Sequence, residues 1–194
     1  MRMSTRQKYS VIIPTRERAD TLYHTLRTMV EQSYDNLEII VSDNCSQDNT
    51  QEVVKSFSDP RLKYLNTGKR VSMSENFEFG LSHVNEGFVM FIGDDDGLLP
   101  GAIERVNTIV EETGMRAVTS GIAQYVWPNH PSDKLRNTMS WSIRNGVEIR
   151  DSSEWMKKVL SFKTLYTFDL PGMYGGFVHI DVVSSMKKDG RFFR

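Results

Sequence analysis

Three consecutive carboxylates, Asp94, Asp95 and Asp96, stand between Gly93 and Gly97. Adjacent carboxylates repel one another and raise one another's pKa unless a cation or hydrogen-bond donors balance their charge. Mg²⁺ and Mn²⁺ provide such a balance, because they prefer oxygen ligands and often bind one or two carboxylates together with substrate phosphates. The triplet therefore predicts a divalent-cation site that could also hold a phosphorylated ligand.

The position of this acidic triplet argues against a more ordinary explanation. Acidic residues also collect in polar loops and ahead of helices, where the helix dipole favours them. However, residues 88–92 read FVMFI without a polar member, which is typical of a central parallel strand covered on both faces. Because the triplet directly follows this run, we favour the cation site.

Two further polar clusters also follow apolar runs. Residues 14–18, PTRER, come after the run at 10–13, and Asp43 and Asn44 come after the run at 37–41. Guanidinium groups bind phosphates, and Asp or Asn side chains can accept hydrogen bonds from a nucleobase or a ribose. Surface arginines and turn-forming Asp or Asn residues explain the same pattern simply, so neither cluster decides the function alone.

The apolar runs alternate with segments of helical spacing. Leu22 and Leu26 share one face of a first helix, which we expect Asp20 to cap, and Ser72 with Glu75 predicts a capping box for a later helix. Strands that alternate with helices predict one Rossmann-like α/β domain, with a mainly parallel sheet and helices on both faces. Its ligand crevice would lie at the carboxyl ends of the strands, where the three polar loops open.

The boundaries of several elements can also be predicted. The first strand should end at Pro14, and Pro100 should occupy the first turn of a helix, where proline is tolerated. Regular alternation ends near Trp127. Beyond it we expect a helix at about 153–161 capped by Asp151, and a glycine-rich segment at 172–176.

Composition excludes several classes of function. Lys and Arg total 24 against 25 Asp and Glu, for a net charge of −1, so a nucleic-acid partner is not expected. Cys45 is the only cysteine, which excludes an internal disulfide. No apolar segment approaches the roughly 18 residues of a transmembrane helix, and we expect a cytoplasmic protein. Gly-rich dinucleotide and P-loop motifs are absent from the sequence, and its four histidines have no metal-ligand spacing.

The polar clusters and their flanking runs together resemble a known family. YSVIIPTRERADTL, LEIIVSDNCSQDNT, the segment at 76–80 and FVMFIGDDDGLLPGAI are similar, in order and spacing, to the motifs of family 2 glycosyltransferases with the GT-A fold. GGFVHIDVVSSMKKDGRF is more weakly similar to the acceptor-side segment of that family. The resemblance implies transfer of a sugar from a nucleotide diphosphate donor to a glycan or lipid-linked acceptor, with inversion and with Mn²⁺ or Mg²⁺ as cofactor.

The resemblance also implies roles for individual residues. The nucleotide would be bound by Pro14, Thr15, Arg16, Asp43, Asn44 and Asp94. The metal would be bound by Asp95, the strongest candidate for a direct ligand, with Asp94 and Asp96. Residues 1–126 would form the nucleotide-sugar and metal-binding half, and residues 127–194 a partial acceptor-side segment of the same domain.

No catalytic residue can be assigned from these motifs. The general base of the family normally follows the acceptor-side segment, so we expect it beyond Arg194 and expect the chain to cover only part of such an enzyme. Asp169, Asp181 and Asp189 are available carboxylates, but loop, cap or surface roles explain them more simply. Peripheral contact with a membrane is compatible with a lipid-linked acceptor.

Two alternatives remain open at this point. Asp94-x-Asp96-Gly97 after an apolar strand is similar to the loop of haloacid-dehalogenase phosphatases, although Leu98 stands where that family has threonine. The chain could also be a non-catalytic module that binds a nucleotide sugar. Phosphatase activity and donor turnover, respectively, would distinguish these from a glycosyltransferase.

Overall fold

The computed structural model describes residues 6–121, 123–141, 146–161 and 175–193. The strands are β1 Tyr9–Thr15, β2 Leu37–Asp43, β3 Leu62–Asn66, β4 Phe88–Phe91, β5 Ala117–Thr119, β6 Ala123–Tyr125, β7 Met139–Trp141 and β8 Gly176–His179. The helices are α1 Ala19–Val30, α2 Thr50–Lys55, α3 Met73–Leu81, α4 Ala102–Thr113, α5 Ser152–Leu160 and α6 Ile180–Met186. None of the helices within these ranges is long and apolar enough to cross a membrane.

Six strands of the described ranges form one sheet in the order β3-β2-β1-β4-β8-β5. β1 is parallel to both β2 and β4, and β2 is parallel to β3. β8 is antiparallel to β4 and to β5, while β6 and β7 form a separate antiparallel pair. The predicted α/β fold with a mainly parallel sheet is therefore confirmed.

The core lies on both faces of this sheet. Successive strand residues point to opposite faces, so Val11 and Ile13 join one apolar cluster while Ile12 joins the other. The first cluster is completed by side chains of α1, α2 and α4, and the second by side chains of α3 and α6. β4 is apolar at every position because its side chains enter both clusters, as predicted for the run at 88–92.

The strand β8 was not predicted. It returns from the later part of the chain to lie between β4 and β5, where Val178 pairs with both Val89 and Ala117. Four residues are too few to carry a periodic signal, and only the pairing defines the strand.

Most of the predicted glycine-rich segment at 172–176 lies outside the described residues, and the division at 126/127 stays a prediction.

β1 does not end at Pro14 but continues to Thr15. The oxygen of Ile12 accepts from the N–H of Ile92 on the β4 side at 3.0 Å. The two-residue alternation of a strand puts the nitrogen of Pro14 on that same side, beyond the last β4 pairing at Phe91. Proline is tolerated here because no ladder hydrogen bond is lost.

Contrary to the prediction, Asp20 does not cap α1, because the helix begins one residue before it. Arg18 occupies the N-cap position without a capping hydrogen bond from its side chain. The N–H of Ala19 instead donates to Asp48 Oδ2 at 3.1 Å, and Asp48 Oδ1 accepts from the N–H of Thr50 at 3.1 Å. Burial alone would raise the pKa of Asp48, but the hydrogen bond from the Thr50 hydroxyl, together with those from the two N–H groups, lowers it. One carboxylate thus serves the first turns of both α1 and α2.

The other helix starts follow the predictions with one exception. The capping box of Ser72 and Glu75 is present, and Asp151 accepts from the N–H of Glu154 at 2.8 Å. Pro100 lies before α4 instead of in its first turn. Gly101 precedes the helix with a φ of 73°, a left-handed conformation that favours glycine and delays the helical start.

Candidate functional site

The loops after β1, β2 and β4 meet at one edge of the sheet. Thr15 pairs with Asp43 in the parallel register, and the oxygen of Thr15 accepts from the N–H of Asn44 at 2.9 Å. The loop that starts at Gly93 leaves the same edge directly beside β1, because β4 pairs with β1 as far as Phe91. The structure therefore brings the three predicted polar clusters together.

Asp94 is the buried member of the acidic triplet. Its Oδ2 accepts from Thr15 Oγ1 at 2.7 Å, and its Oδ1 lies 3.2 Å from the Nε of Arg18. Burial, and secondarily the charge of Asp95, raise the pKa of Asp94, while Thr15 and Arg18 lower it. Both oxygens are thus engaged, and Asp94 anchors the acidic loop to the end of β1.

Asp95 and Asp96 are exposed and converge beside Gly93. A Cβ atom at Gly93 would lie 2.7 Å from Asp96 Oδ2 and 2.9 Å from Asp95 Oδ1. The missing side chain therefore leaves room for both carboxylates, and partial burial together with the charge of Asp95 raises the pKa of Asp96. The other oxygen of Asp95, Oδ2, lies 2.6 Å from the Nη2 of Arg18.

This arrangement suits a cation that shares its coordination with a phosphorylated ligand. No group of three or more His, Cys, Asp or Glu side chains within the described ranges forms a ready metal cage. Mg²⁺ does not need one, since it keeps several waters and is usually bound by one or two carboxylates plus substrate phosphates. The two converging carboxylates at Gly93 are such a donor set.

Helix α1 holds the downstream part of the acidic loop. Thr28 Oγ1 accepts from the N–H of Leu98 at 3.2 Å, and Gln32 Nε2 donates to the oxygen of Leu99 at 3.1 Å. A Cβ atom on Gly97 would lie 3.0 Å from Thr28 Cγ2, so glycine allows this close approach. Neither Thr28 nor Gln32 was predicted from the sequence, because a polar residue in a helix or just after it carries no signal of such a distant partner.

The carboxylate of Asp43 is buried and accepts hydrogen bonds from three residues. Oδ1 accepts from Ser46 N at 3.0 Å and Ser46 Oγ at 2.6 Å, and Oδ2 accepts from Tyr64 Oη at 2.5 Å and Asn66 Nδ2 at 2.9 Å. Burial and the neighbouring carboxylate raise the pKa of Tyr64 to about 12, so its hydroxyl remains a donor. Asp43 therefore joins the β2–α2 loop to β3.

Asn44 makes a two-point contact with the loop that precedes α3. Its Nδ2 donates to the oxygen of Val71 at 2.9 Å, and its Oδ1 accepts from the N–H of Val71 at 2.8 Å. The buried amide thus fixes this loop beside the β2 edge. A nucleotide contact by Asp43 or Asn44 stays a prediction.

The two arginines of the first loop differ in their contacts. Within the described ranges, the exposed Arg16 guanidinium has no hydrogen bond or ion pair. Arg18, by contrast, bridges Asp94 and Asp95. Sequence reasoning selected Arg16 by its position in the motif and did not assign Arg18 a role. The two arginines of the loop at 14–18 were the feature of the sequence that could have indicated a role for Arg18.

The other candidate carboxylates lie elsewhere. Asp181 pairs with Arg116 at 3.0 Å, and Asp189 has a φ of 52°, as in a tight turn. Asp169 lies outside the described residues. No catalytic base is assigned from this part of the chain.

The chain belongs to a family of sugar transferases. The sequence pattern of the family described as "Glycosyl transferase family 2" matches residues 10–166, which is most of the chain. The predicted family and GT-A fold class are thereby confirmed, and the match argues against the phosphatase alternative.

The chain covers only part of the length of each relative. The chain is 40% identical over 159 residues to the Campylobacter jejuni GalNAc(5)-diNAcBac-PP-undecaprenol beta-1,3-glucosyltransferase, covering 80% of this chain and 48% of that enzyme. Residues 1–349 of S. aureus TarS in complex with UDP share the fold, with a TM-score of 0.58, 19% identity and coverage of 75% and 38% of the two chains. The Pyrobaculum calidifontis mannosyltransferase PcManGT in complex with GDP-Man and Mn²⁺ has a TM-score of 0.51, 25% identity and coverage of 60% and 36%. The chain thus spans about half the length of its curated relative.

Proposed function

We propose that this chain forms the donor-binding part of a glycosyltransferase that moves a sugar from a nucleotide diphosphate to a glycan or lipid-linked acceptor. The observation that carries the proposal is the acidic loop, in which Asp94 is anchored by Thr15 while Asp95 and Asp96 converge beside Gly93. This loop meets the ends of β1 and β2 at the carboxyl edge of the sheet, which is where α/β sheets bind ligands.

The acidic loop would serve the departure of the nucleoside diphosphate. Bound Mg²⁺ or Mn²⁺ would supply charge stabilisation to the leaving phosphates. Asp95 and Asp96 are the residues that would hold the cation, and Asp94 keeps the loop in position through Thr15 and Arg18. Asp94 is also proposed to contact the nucleotide.

The nucleoside is proposed to lie along the β1 and β2 ends. Pro14, Thr15 and Arg16 would line the base pocket, and Arg16 is exposed and therefore accessible to a ligand. The internal hydrogen bonds of Asp43 and Asn44 hold these side chains rigid, so they would present a preorganised wall to the base and ribose.

The acceptor and the stereochemistry follow from the family and its relatives. The name of the Campylobacter jejuni relative specifies an undecaprenol-linked acceptor, which supports a lipid-linked acceptor for this chain. We propose direct displacement with inversion, in which a carboxylate base deprotonates the acceptor hydroxyl. The position of that base beyond Arg194, a cytoplasmic location and peripheral membrane contact stay predictions.

Calorimetric titration tests donor binding. UDP-, GDP- and TDP-glucose are titrated into the chain with Mn²⁺ and with EDTA, and we expect Mn²⁺-dependent binding of one of the three. Asp95→Asn should weaken that binding about tenfold or more, because one cation ligand is lost. Asp35→Asn is the matched control, since Asp35 is an exposed aspartate in the α1–β2 loop, outside the proposed site.

The same titration separates the alternatives. Equal binding in EDTA and Mn²⁺, or an unchanged affinity in Asp95→Asn, would contradict the cation-dependent donor site. Release of free sugar from the tightest donor would support an enzyme, whereas tight binding without any turnover would support a non-catalytic module.

A further inference from the structure

Arg18 already places a positive charge within the acidic loop. Its Nε lies 3.2 Å from Asp94 Oδ1, and its Nη2 lies 2.6 Å from Asp95 Oδ2. One guanidinium therefore bridges the buried carboxylate and one of the two exposed carboxylates. A planar group with several N–H donors is well suited to such a bridge.

The bridge and a divalent cation have opposing requirements. A cation at Asp95 and Asp96 needs Asp95 as a ligand, while the guanidinium engages one oxygen of that carboxylate. Two positive groups on the same carboxylate also repel each other. Because Arg18 engages Oδ2 while Oδ1 faces Gly93, the two positive groups would oppose each other at Asp95 through their charges.

The geometry of Arg18 permits it to leave. Its side chain is 46% exposed, and the residue stands at the N-cap of α1, where its side chain makes no capping hydrogen bond. Arg61 provides a contrast, since its 18% exposed side chain also donates to the oxygens of Val30, Gln32 and Tyr34. Arg61 is held from several sides, whereas the side chain of Arg18 contacts, among the described residues, the acidic loop and, weakly, Thr21 Oγ1 at 3.4 Å.

We propose that Arg18 is a resident counter-ion that holds Asp94 and Asp95 in place and competes with the divalent cation for Asp95. A nucleoside diphosphate relieves this competition, because its negative charge offers the guanidinium another partner. Tight cation binding then requires the donor, and the loop does not hold a cation permanently. This role rests on the proposed donor site.

Binding of Mn²⁺ alone tests the competition. In electron paramagnetic resonance titrations, Arg18→Gln should bind Mn²⁺ about tenfold more tightly than the unaltered chain, because one positive charge near the site is removed. Arg18→Lys keeps the charge and should retain weak binding. Arg27→Gln, which removes another α1 arginine paired with Glu31, should leave the affinity unchanged. Because damage to the fold weakens binding, a gain in affinity cannot come from misfolding.

Repeating the titrations with saturating UDP tests the relief of competition. UDP should increase the Mn²⁺ affinity of the unaltered chain. In Arg18→Gln this increase should be several-fold smaller, since linkage between the two ligands is reciprocal. Equal Mn²⁺ affinities of the two chains without UDP, or an unchanged UDP factor, would overturn the proposal for Arg18 and leave the donor site standing. Absence of Mn²⁺ binding to the unaltered chain even with UDP would overturn the donor site itself.

Discussion

The ends of β2 and β4 both carry buried aspartates, yet they use them differently. Asp43 accepts hydrogen bonds from Ser46, Tyr64 and Asn66, so its carboxylate is satisfied within the protein. After β4, Asp94 is buried but its neighbours Asp95 and Asp96 are exposed and crowded, and Arg18 pairs with only Asp94 and Asp95 of the three. The first arrangement stabilises the fold, whereas the second retains charge that a ligand can balance.

Removal of the satisfied carboxylate should have the largest effect on stability. Asp43→Ala leaves the donors of Ser46, Tyr64 and Asn66 without their acceptor. Hydrogen bonds to a charged group contribute more than neutral ones, and the carboxylate of Asp43 is buried, so we expect the free energy of unfolding to fall by about 3 kcal/mol in urea titrations.

Asp95→Ala is the matched test in the acidic loop after β4. Its carboxylate is exposed and has like-charged neighbours, so we expect a change within about 0.5 kcal/mol. Equal losses of stability in the two variants would contradict the distinction between the two loops.

Substitutions of two glycines distinguish a packing position from a ligand-binding position, with smaller expected effects on stability than Asp43→Ala. A Cβ atom at Gly80 would lie 2.7 Å from Ile12 Cγ2 and 3.2 Å from Ser42 Cβ, inside the core. Gly80→Ala should lower the free energy of unfolding by about 2 kcal/mol, because overpacking outweighs the better helix propensity of alanine. Thermal unfolding monitored by circular dichroism measures the loss.

At Gly93, the same change meets only the ends of two carboxylates, which can rotate. Gly93→Ala should therefore keep its stability within about 0.5 kcal/mol, but weaken Mn²⁺-dependent UDP binding several-fold, because the convergence of Asp95 and Asp96 is disturbed. Unchanged binding in this variant would show that the gap beside Gly93 is not used.

The ion pair of Arg61 and Asp59 offers the smallest and most specific comparison with the Arg18 bridge. The hydrogen bond from Arg61, only partly opposed by burial, lowers the pKa of Asp59 from its ordinary value of 3.8. A depressed folded-state pKa adds stability that is fully present above the unfolded value and is lost as the pH falls through the folded value. Asp59→Asn should thus be about 1 kcal/mol less stable at pH 7.

That difference should shrink once the pH falls below the ordinary value of 3.8, and it should disappear only below the lower folded-state pKa, where the folded Asp59 becomes protonated. Urea unfolding of both chains at pH 7, 5 and 3 measures the difference. A stability difference that stays constant over this range would mean that the charge of Asp59 contributes nothing.

Local patterns were sufficient for much of the fold. The apolar runs that became β1, β2 and β4 and the capping box at Ser72 were predicted, because strand burial and helix capping depend on neighbours in the sequence. The prediction that Asp20 caps α1 was wrong, since Asp48 accepts from the N–H of Ala19 from another loop. Such contacts leave no periodic trace in the sequence.

Patterns in the sequence were enough to predict the alternation of β1, β2 and β4 with helices, and with it the convergence of three polar loops at one sheet edge. Alternating strands and helices permit few topologies, so the position of a ligand site follows from the pattern. Which carboxylates are engaged and which stay exposed depends on the folded arrangement of the chain. Thr15 meets Asp94 across 79 positions and Arg18 meets Asp95 across 77, and side chains so distant in sequence become neighbours only when the sheet forms.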